Sequence, residues 1–253
     1  MNALLNFTKI RVIISFVRAF WFIKILRKLS IIDNASTSEV HEHTVFSNLR
    51  RVVANKQKPL LDGDYLFGLD KHHEGTKIRT LMNPVISIDR ISDNLKKIKV
   101  LIIGPKLEAE ILSVMSYGIP LSNIKAVDLI SYSPWIEKGD MHNLSYQDDE
   151  FDLILCGWVI AYSNDKTKAA SEIIRVGKKG AIIALGATYS PLSNEEVIAR
   201  RGYLVGSEQR INNVETLLSL FKEKIAKIYF KHDVDEDRKN INGKILTVFS
   251  LKS

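Results

Sequence analysis

Three residues in the middle third of the chain, Gly104, Asp128 and Asp140, have the types and spacing that could hold a nucleotide-like ligand. Gly104 closes the apolar run Lys99-Val100-Leu101-Ile102-Ile103. Without a Cβ it lets a ligand approach the backbone closely. Asp128 closes the next apolar run, Ile124-Lys125-Ala126-Val127. A carboxylate at such a tip can accept hydrogen bonds from ribose hydroxyls. Asp140 and Met141 follow Gly139, pairing an acceptor for an amino group with an apolar wall for a planar ring. His142 comes next, and His72-His73 lie upstream; each is a candidate base for an oxygen nucleophile. His72-His73-Glu74 lacks the spacing of a zinc-binding helix and the other histidines are scattered, so no metal is expected.

These residues need elements to hold them. The run ending at Gly104 is β-branched and apolar, as expected of a parallel strand buried on both faces. Residues 108–117 read as a helix packing through Ala109, Leu112, Val114 and Met115, with Gly118 as its stop. Residues 124–128 read as the second strand, completing a βαβ unit whose crossover is right-handed. Such a unit presents Gly104 beside the positive N-terminus of the helix.

The continuation is more specific. Residues 139–160 run Gly139-Asp140-Met141-His142-Asn143-Leu144-Ser145-Tyr146-Gln147-Asp148-Asp149-Glu150-Phe151-Asp152-Leu153-Ile154 and on through Cys156-Gly157-Trp158 to Ile160. This resembles the class I S-adenosylmethionine-dependent methyltransferases, and among them the branch that includes the quinone C-methyltransferases. That branch carries G-D-x-x-x-L-P-[FY]-x-D-x-[ST]-F-D-x-[IV]. Glu172-Ile173-Ile174-Arg175-Val176-Gly177-Lys178-Lys179-Gly180 is similar to the family's E-x-x-R-V-L-K-P-G-G. The tail, with a helix expected over 213–223 and strands over 225–232 and 244–251, is similar to the family's final helix and antiparallel strand pair. The resemblance covers residues 97–190 most closely.

The resemblance implies an α/β fold: a seven-stranded, mostly parallel Rossmann-like sheet with helices on both faces, preceded by an N-terminal helical extension. It implies S-adenosylmethionine as cofactor. Gly104 and its loop, Pro105 and Glu108 included, would face the methionine part. Asp128 and Leu129 would face the ribose, Asp140 and Met141 the adenine, and Gly157 and Trp158 the sulfonium and acceptor. Tyr162 and Tyr189 fall where this fold makes acceptor contacts, so His142 and Tyr162 are the catalytic candidates.

Two departures stand out. Gly104 is followed by Pro105-Lys106-Leu107-Glu108-Ala109-Glu110 in place of further glycines, and Ile102 stands where an acid is frequent. The cofactor's amino-acid end would then be met by Glu108 or Glu110 at the ammonium and Lys106 at the carboxylate. Residues 129–139 are too few for a full helix and strand, so a turn should replace the usual helix there. Tyr132 and Trp135 in that turn would stack near the adenine or cover the core. Residues 188–213, with Arg200, Arg201 and Arg210, form an insertion that could serve as part of a lid, its cations meeting an acidic acceptor or simply solvent.

Composition bounds the rest. The chain has 253 residues, 45% hydrophobic and 26% charged, as expected of a folded chain with one main core. A formal charge of +7 suits an anionic partner. The lone cysteine, Cys156, lies in an apolar run and reads as a core residue in a reducing, cytoplasmic setting. Residues 1–33 form a cationic apolar arm in which Val12, Phe16, Ala19, Ile23 and Leu26 share one helical stripe. Lys9, Arg11, Arg18, Lys24, Arg27 and Lys28 break any membrane span, and no secretory signal fits. Residues 4–29 suit either contact with the inner face of a membrane or packing against protein, a second subunit included. Residues 34–93 read as a helical and loop extension and 94–253 as the cofactor-binding domain. A small-molecule, lipid-linked or glycan acceptor is expected; nucleic acid is disfavoured, because the basic residues are not interleaved with aromatics outside the arm. Two other readings share the strand, glycine and acid logic: a nicotinamide-dependent oxidoreductase, and a cofactor-binding scaffold without turnover.

Overall fold

The computed structural model describes residues 74–252 apart from 106, 107, 130, 132 and 202–209. The cationic arm, His72, His73, Lys106 and Tyr132 therefore lie outside the described residues, as do the side chains of Arg200 and Arg201. Seven strands run in chain order: β1 Val100–Ile103, β2 Ile124–Asp128, β3 Glu137–Lys138, β4 Phe151–Gly157, β5 Gly177–Tyr189, β6 Ile225–His232 and β7 Gly243–Leu251. They form one sheet in the order β3-β2-β1-β4-β5-β7-β6. Neighbours from β3 to β5 pair in parallel, and β7 pairs antiparallel with both β5 and β6.

The helices are α1 Glu74–Ile86, α2 Asp89–Ser92, α3 Glu108–Met115, α4 Lys166–Val176, α5 Asn194–Arg201 and α6 Val214–Ser219. Side chains alternate across a strand, and here both faces are buried. Val100, Ile102, Leu153 and Leu155 share one core with Ile78, Leu81, Met82 and Val85 of α1 and with Ile111 and Val114 of α3. Leu101, Ile103, Ile154 and Cys156 share the other with Ile173 and Val176 of α4 and Leu217 of α6. This is why the parallel strands read as unbroken apolar runs. Cys156 is buried, as its apolar neighbours imply, and burial pushes its thiol up to about 12.

Local signals set the ends of the helices. Gly118 takes φ +98° after α3 and donates its N–H to the Met115 carbonyl at 2.9 Å. Asp165 and Asn213 cap α4 and α6, accepting the N–H groups of Lys168 and Thr216 at 2.8 Å each. The α6 helix is shorter than the expected 213–223. It stops after Ser219, where Leu220 and Phe221 donate to Leu217 and Leu218, tightening the last turn and driving Phe221 into the core. A turn through Ser133, Pro134 and Trp135 stands between β2 and β3 in place of a helix, as the short spacing requires. Trp135 leans on the α1 and α3 side of the core.

Candidate functional site

Parallel pairing brings the candidate residues to one edge. Ile103 is level with Val127 on one side and Cys156 on the other, so Gly104, Asp128 and Gly157 end three adjacent strands. Asp128 is level with Lys138, which puts Asp140 just past the tip of the fourth. Neighbouring strands are about 4.8 Å apart, so one ligand can span these tips. The strand order reverses between β1 and β4, and the crevice outside the carboxyl ends at such a switch point is where open α/β sheets bind ligands.

Gly104 takes φ +74°, and a Cβ there would stand 2.2 Å from Val159 Cγ1. Its missing side chain thus makes room for Val159, in the loop after β4, as well as permitting the backbone turn. Pro105 behind it is buried. In the first turn of α3, Glu108 and Glu110 are both buried and both carry partners. A helix N-terminus favours carboxylates there. Leu129 is half-buried beyond Asp128, and the Asp128 carbonyl accepts from Gly139 at 2.9 Å, holding the start of the Asp140 loop to β2.

That loop is clamped from beneath by α4. Arg175 donates to the carbonyls of Leu144 at 2.9 Å and Tyr146 at 2.8 Å, and pairs with Asp148 at 2.7 Å and Glu172 at 2.8 Å. Glu172 in turn accepts the Leu144 N–H at 2.8 Å. The Arg175 guanidinium holds the Glu172 carboxyl below its ordinary range against the opposing effect of burial. The E-x-x-R motif is therefore a brace for the segment that carries Asp140. Tyr146 packs edge-on against Phe151 at 5.1 Å and donates to Glu137 at 2.9 Å; burial first, then that carboxylate, raises its pKa. Met141 packs on the same core.

His142 differs from the expectation of an open base. Its Nδ1 lies 2.6 Å from Asp140 Oδ1, and its Nε2 lies 2.6 Å from Ser163 Oγ. Bonded at both nitrogens, the ring joins the loop after β3 to the turn after β4. Trp158 also differs. It adopts φ +65°, and its indole is turned into the core, within 3.1 Å of where a Gly186 Cβ would stand. The ring packs over Gly186 of β5. Tyr162 ends the short helical turn after β4 and is 41% exposed. Tyr189 donates its hydroxyl to the Lys239 carbonyl at 3.1 Å. Arg210 is bonded to the carbonyls of Leu192 and Ser190, which staples the insertion to itself. Among the described residues no group of acids, histidines or cysteine could hold a metal, and no helix is long and apolar enough to cross a membrane.

The strand order with its antiparallel β7, the two carboxylates at adjacent tips and the braced Asp140 loop agree with a comparison against protein families, in which residues 114–185 match the family described as methyltransferase domain. The fold is that of a Rossmann-like methyltransferase. S-adenosylmethionine is the cofactor that this likeness indicates. Among solved structures, the fold is similar to a candidate sarcosine dimethylglycine methyltransferase from Galdieria sulphuraria, with TM-score 0.51 and 13% identity over 69% of this chain and 86% of that one. It is also similar to a candidate S-adenosylmethionine-dependent methyltransferase from Listeria monocytogenes, with TM-score 0.51 and 9% identity over 73% and 100% of the two chains. The CurJ carbon methyltransferase gives TM-score 0.51 and 13% identity over 79% of this chain and 58% of that one. These likenesses concern the fold. They do not single out the quinone branch. No curated protein matched this chain.

The residues suit the cofactor. Asp128 and Asp140, at the tips of β2 and β3, have the chemistry to accept from hydroxyls and an amino group, and Glu108 and Glu110, buried and partnered at the start of α3, add no positive charge for a dinucleotide's pyrophosphate.

Proposed function

We propose that this enzyme transfers a methyl group from S-adenosylmethionine, held across the carboxyl ends of β1, β2, β3 and β4, to a small-molecule, lipid-linked or glycan acceptor that enters past Tyr162. The observation that carries the reading is the alignment of Gly104, Asp128 and Gly157 on three adjacent strands with Asp140 on the fourth. When bound, the cofactor supplies an electrophilic methyl on a sulfonium. The chain's part is to orient: Asp128 and Leu129 at the ribose, Asp140 and Met141 at the adenine, Gly104, Pro105 and Glu108 at the methionine end, and Gly157 beside the reacting atoms. Positioning of this kind supplies much of the acceleration in such a displacement. Tyr162, exposed at the rim, is the candidate for contact with the acceptor's nucleophile, and His142 acts through Asp140 as a positioning residue.

The basic balance supports an anionic or headgroup-bearing acceptor. The lone buried Cys156 supports a cytoplasmic enzyme, and the arm, residues 4–29, is the proposed contact with the inner face of a membrane or with a second copy of the chain. Isothermal titration of the full chain with S-adenosylhomocysteine and, separately, with NAD tests the reading. Saturable binding of the first and none of the second is expected. Binding of NAD alone would refute it.

A further inference from the structure

The mechanism above uses Asp140 and Tyr162, yet these lie in different loops, one after β3 and one after β4. A short chain of hydrogen bonds joins them. Asp140 Oδ1 accepts the His142 N–H at 2.9 Å and lies 2.6 Å from His142 Nδ1. A carboxylate only accepts, so Nδ1 carries the proton. With the ring neutral, Nε2 then accepts the hydrogen bond that the Ser163 hydroxyl donates across 2.6 Å. Ser163 Oγ accepts in turn from the Asp165 N–H at 3.1 Å. Every one of these polar groups is satisfied in this one arrangement.

The far end of the chain is anchored. Ser163 is 1% exposed and directly follows Tyr162. Its carbonyl accepts from Lys166 Nζ at 3.0 Å, a buried ammonium whose pKa burial lowers. The near end is less covered, with the Asp140 side chain 40% exposed and His142 13% exposed. The charged groups that meet the chain are thus Asp140 at one end and Asp165 and Lys166 at the other. A buried anchor joined through a rigid aromatic ring to a half-exposed carboxylate carries displacement from one loop to the other.

We propose that His142 and Ser163 couple cofactor binding to the order of the acceptor-side loop: engagement of Asp140 by the adenine end fixes the imidazole, which fixes Ser163 and hence the turn that presents Tyr162. This rests on the reading of Asp140 given under the proposed function. Sequence alone does not carry it, because His142 and Ser163 are brought together only by the pairing of β4 next to β1. The coupling makes bound cofactor raise the affinity for acceptor, and bound acceptor raise the affinity for cofactor by the same factor, since coupling between sites is reciprocal.

Amide hydrogen exchange of the full chain, with and without saturating S-adenosylhomocysteine, tests the proposal. In the native chain the ligand is expected to slow exchange over residues 160–165 by about fivefold or more, the lower end of ordinary coupling. In Ser163→Ala, and independently in His142→Asn, whose shorter amide keeps a donor toward Asp140 but cannot reach Ser163, that slowing is expected to vanish while protection of residues 126–141 persists. Should Ser163→Ala fail to fold, His142→Asn carries the test alone. Slowing at 160–165 that survives in the variants, or that never occurs in a native chain which binds the ligand, overturns the coupling and leaves the cofactor site intact. A native chain that does not bind S-adenosylhomocysteine overturns both.

Discussion

Gly104→Ala tests what this glycine does. The new Cβ would stand 2.2 Å and 2.6 Å from the two Val159 methyls and 2.7 Å from Val159 Cβ, and the backbone sits at φ +74°. A left-handed conformation costs a residue with a Cβ about 1–2 kcal/mol. Forcing a methyl into filled space costs about 1–3 kcal/mol more. The sum is about 2–5 kcal/mol, a large part of the ~5–15 kcal/mol that holds an ordinary domain together. With a urea slope of about 2 kcal/mol per molar, the midpoint should fall by about 1–2.5 M. Val159→Ala removes the two closest contacts and leaves the third at 2.7 Å, so the double variant should recover part of the loss and none of the backbone cost. The measurement is urea unfolding of the four chains of the cycle without cofactor, with a coupling of at least ~1 kcal/mol expected. Strict additivity, or a single-variant loss within about 0.5 kcal/mol, would mean that Gly104 serves cofactor approach alone and that Val159 yields.

Other expectations follow from the brace and the core. Arg175→Met removes the bonds to the Leu144 and Tyr146 carbonyls and leaves Glu172 without its guanidinium, holding only the Leu144 N–H, so stability should drop by about 2 kcal/mol and cofactor affinity should fall with it, read by urea unfolding and titration calorimetry. Because Arg175 depresses the folded Glu172 pKa, the pair's stabilisation is complete above the ordinary carboxylate range and is lost as pH falls through the lower folded value. Unfolding midpoints taken from pH 7 down to pH 3 should show that acid-side loss from this pair in the native chain and a flatter profile in Arg175→Met. Cys156, with its thiol pushed up to about 12 by burial, should resist a thiol-specific reagent at pH 8 in the folded chain and react at one equivalent once unfolded in urea. Reaction at the free-thiol rate before unfolding would count against the packing of β4.

Much of this fold is legible because a strand covered on both faces must be apolar at every position. Val100 to Ile103 and Leu153 to Cys156 could hardly be anything else once flanked by glycines and acids, and their tips fall where Gly104, Asp128 and Gly157 stand. Helix α1 was harder to read. Ile78, Leu81, Met82 and Val85 do step at helical spacing and bury against β1 and β4, but Asn83-Pro84 reads as a stop within the same stretch. The helix lies in residues assigned by composition to an extension, yet it supplies one wall of the core. The motif around Glu172 and Arg175 was visible as a family likeness; its work as a brace was not, because the carbonyls it holds, Leu144 and Tyr146, lie on the far side of β4 in sequence. Local patterns report on local structure, and a brace is a long-range contact.

The same limit explains the change in how the catalytic candidates read. A histidine beside an aspartate in sequence looks like a base and its helper, and in isolation the pair would be one. What alters it is Ser163, which the parallel crossing from β3 through β4 delivers to the other ring nitrogen. The residue types that suggest proton transfer are the ones that make strong links when buried, since both uses need a donor and an acceptor at fixed distance. Exposure separates the two uses. Tyr162 is 41% exposed, which suits its proposed contact with an acceptor, whereas both nitrogens of His142 are already bonded, which suits the proposed transmission of position. On the proposed reading, an acceptor would meet a phenol, a loop whose order follows the cofactor, and a strand tip without a side chain at Gly157, and turnover would depend on the ordering of those loops.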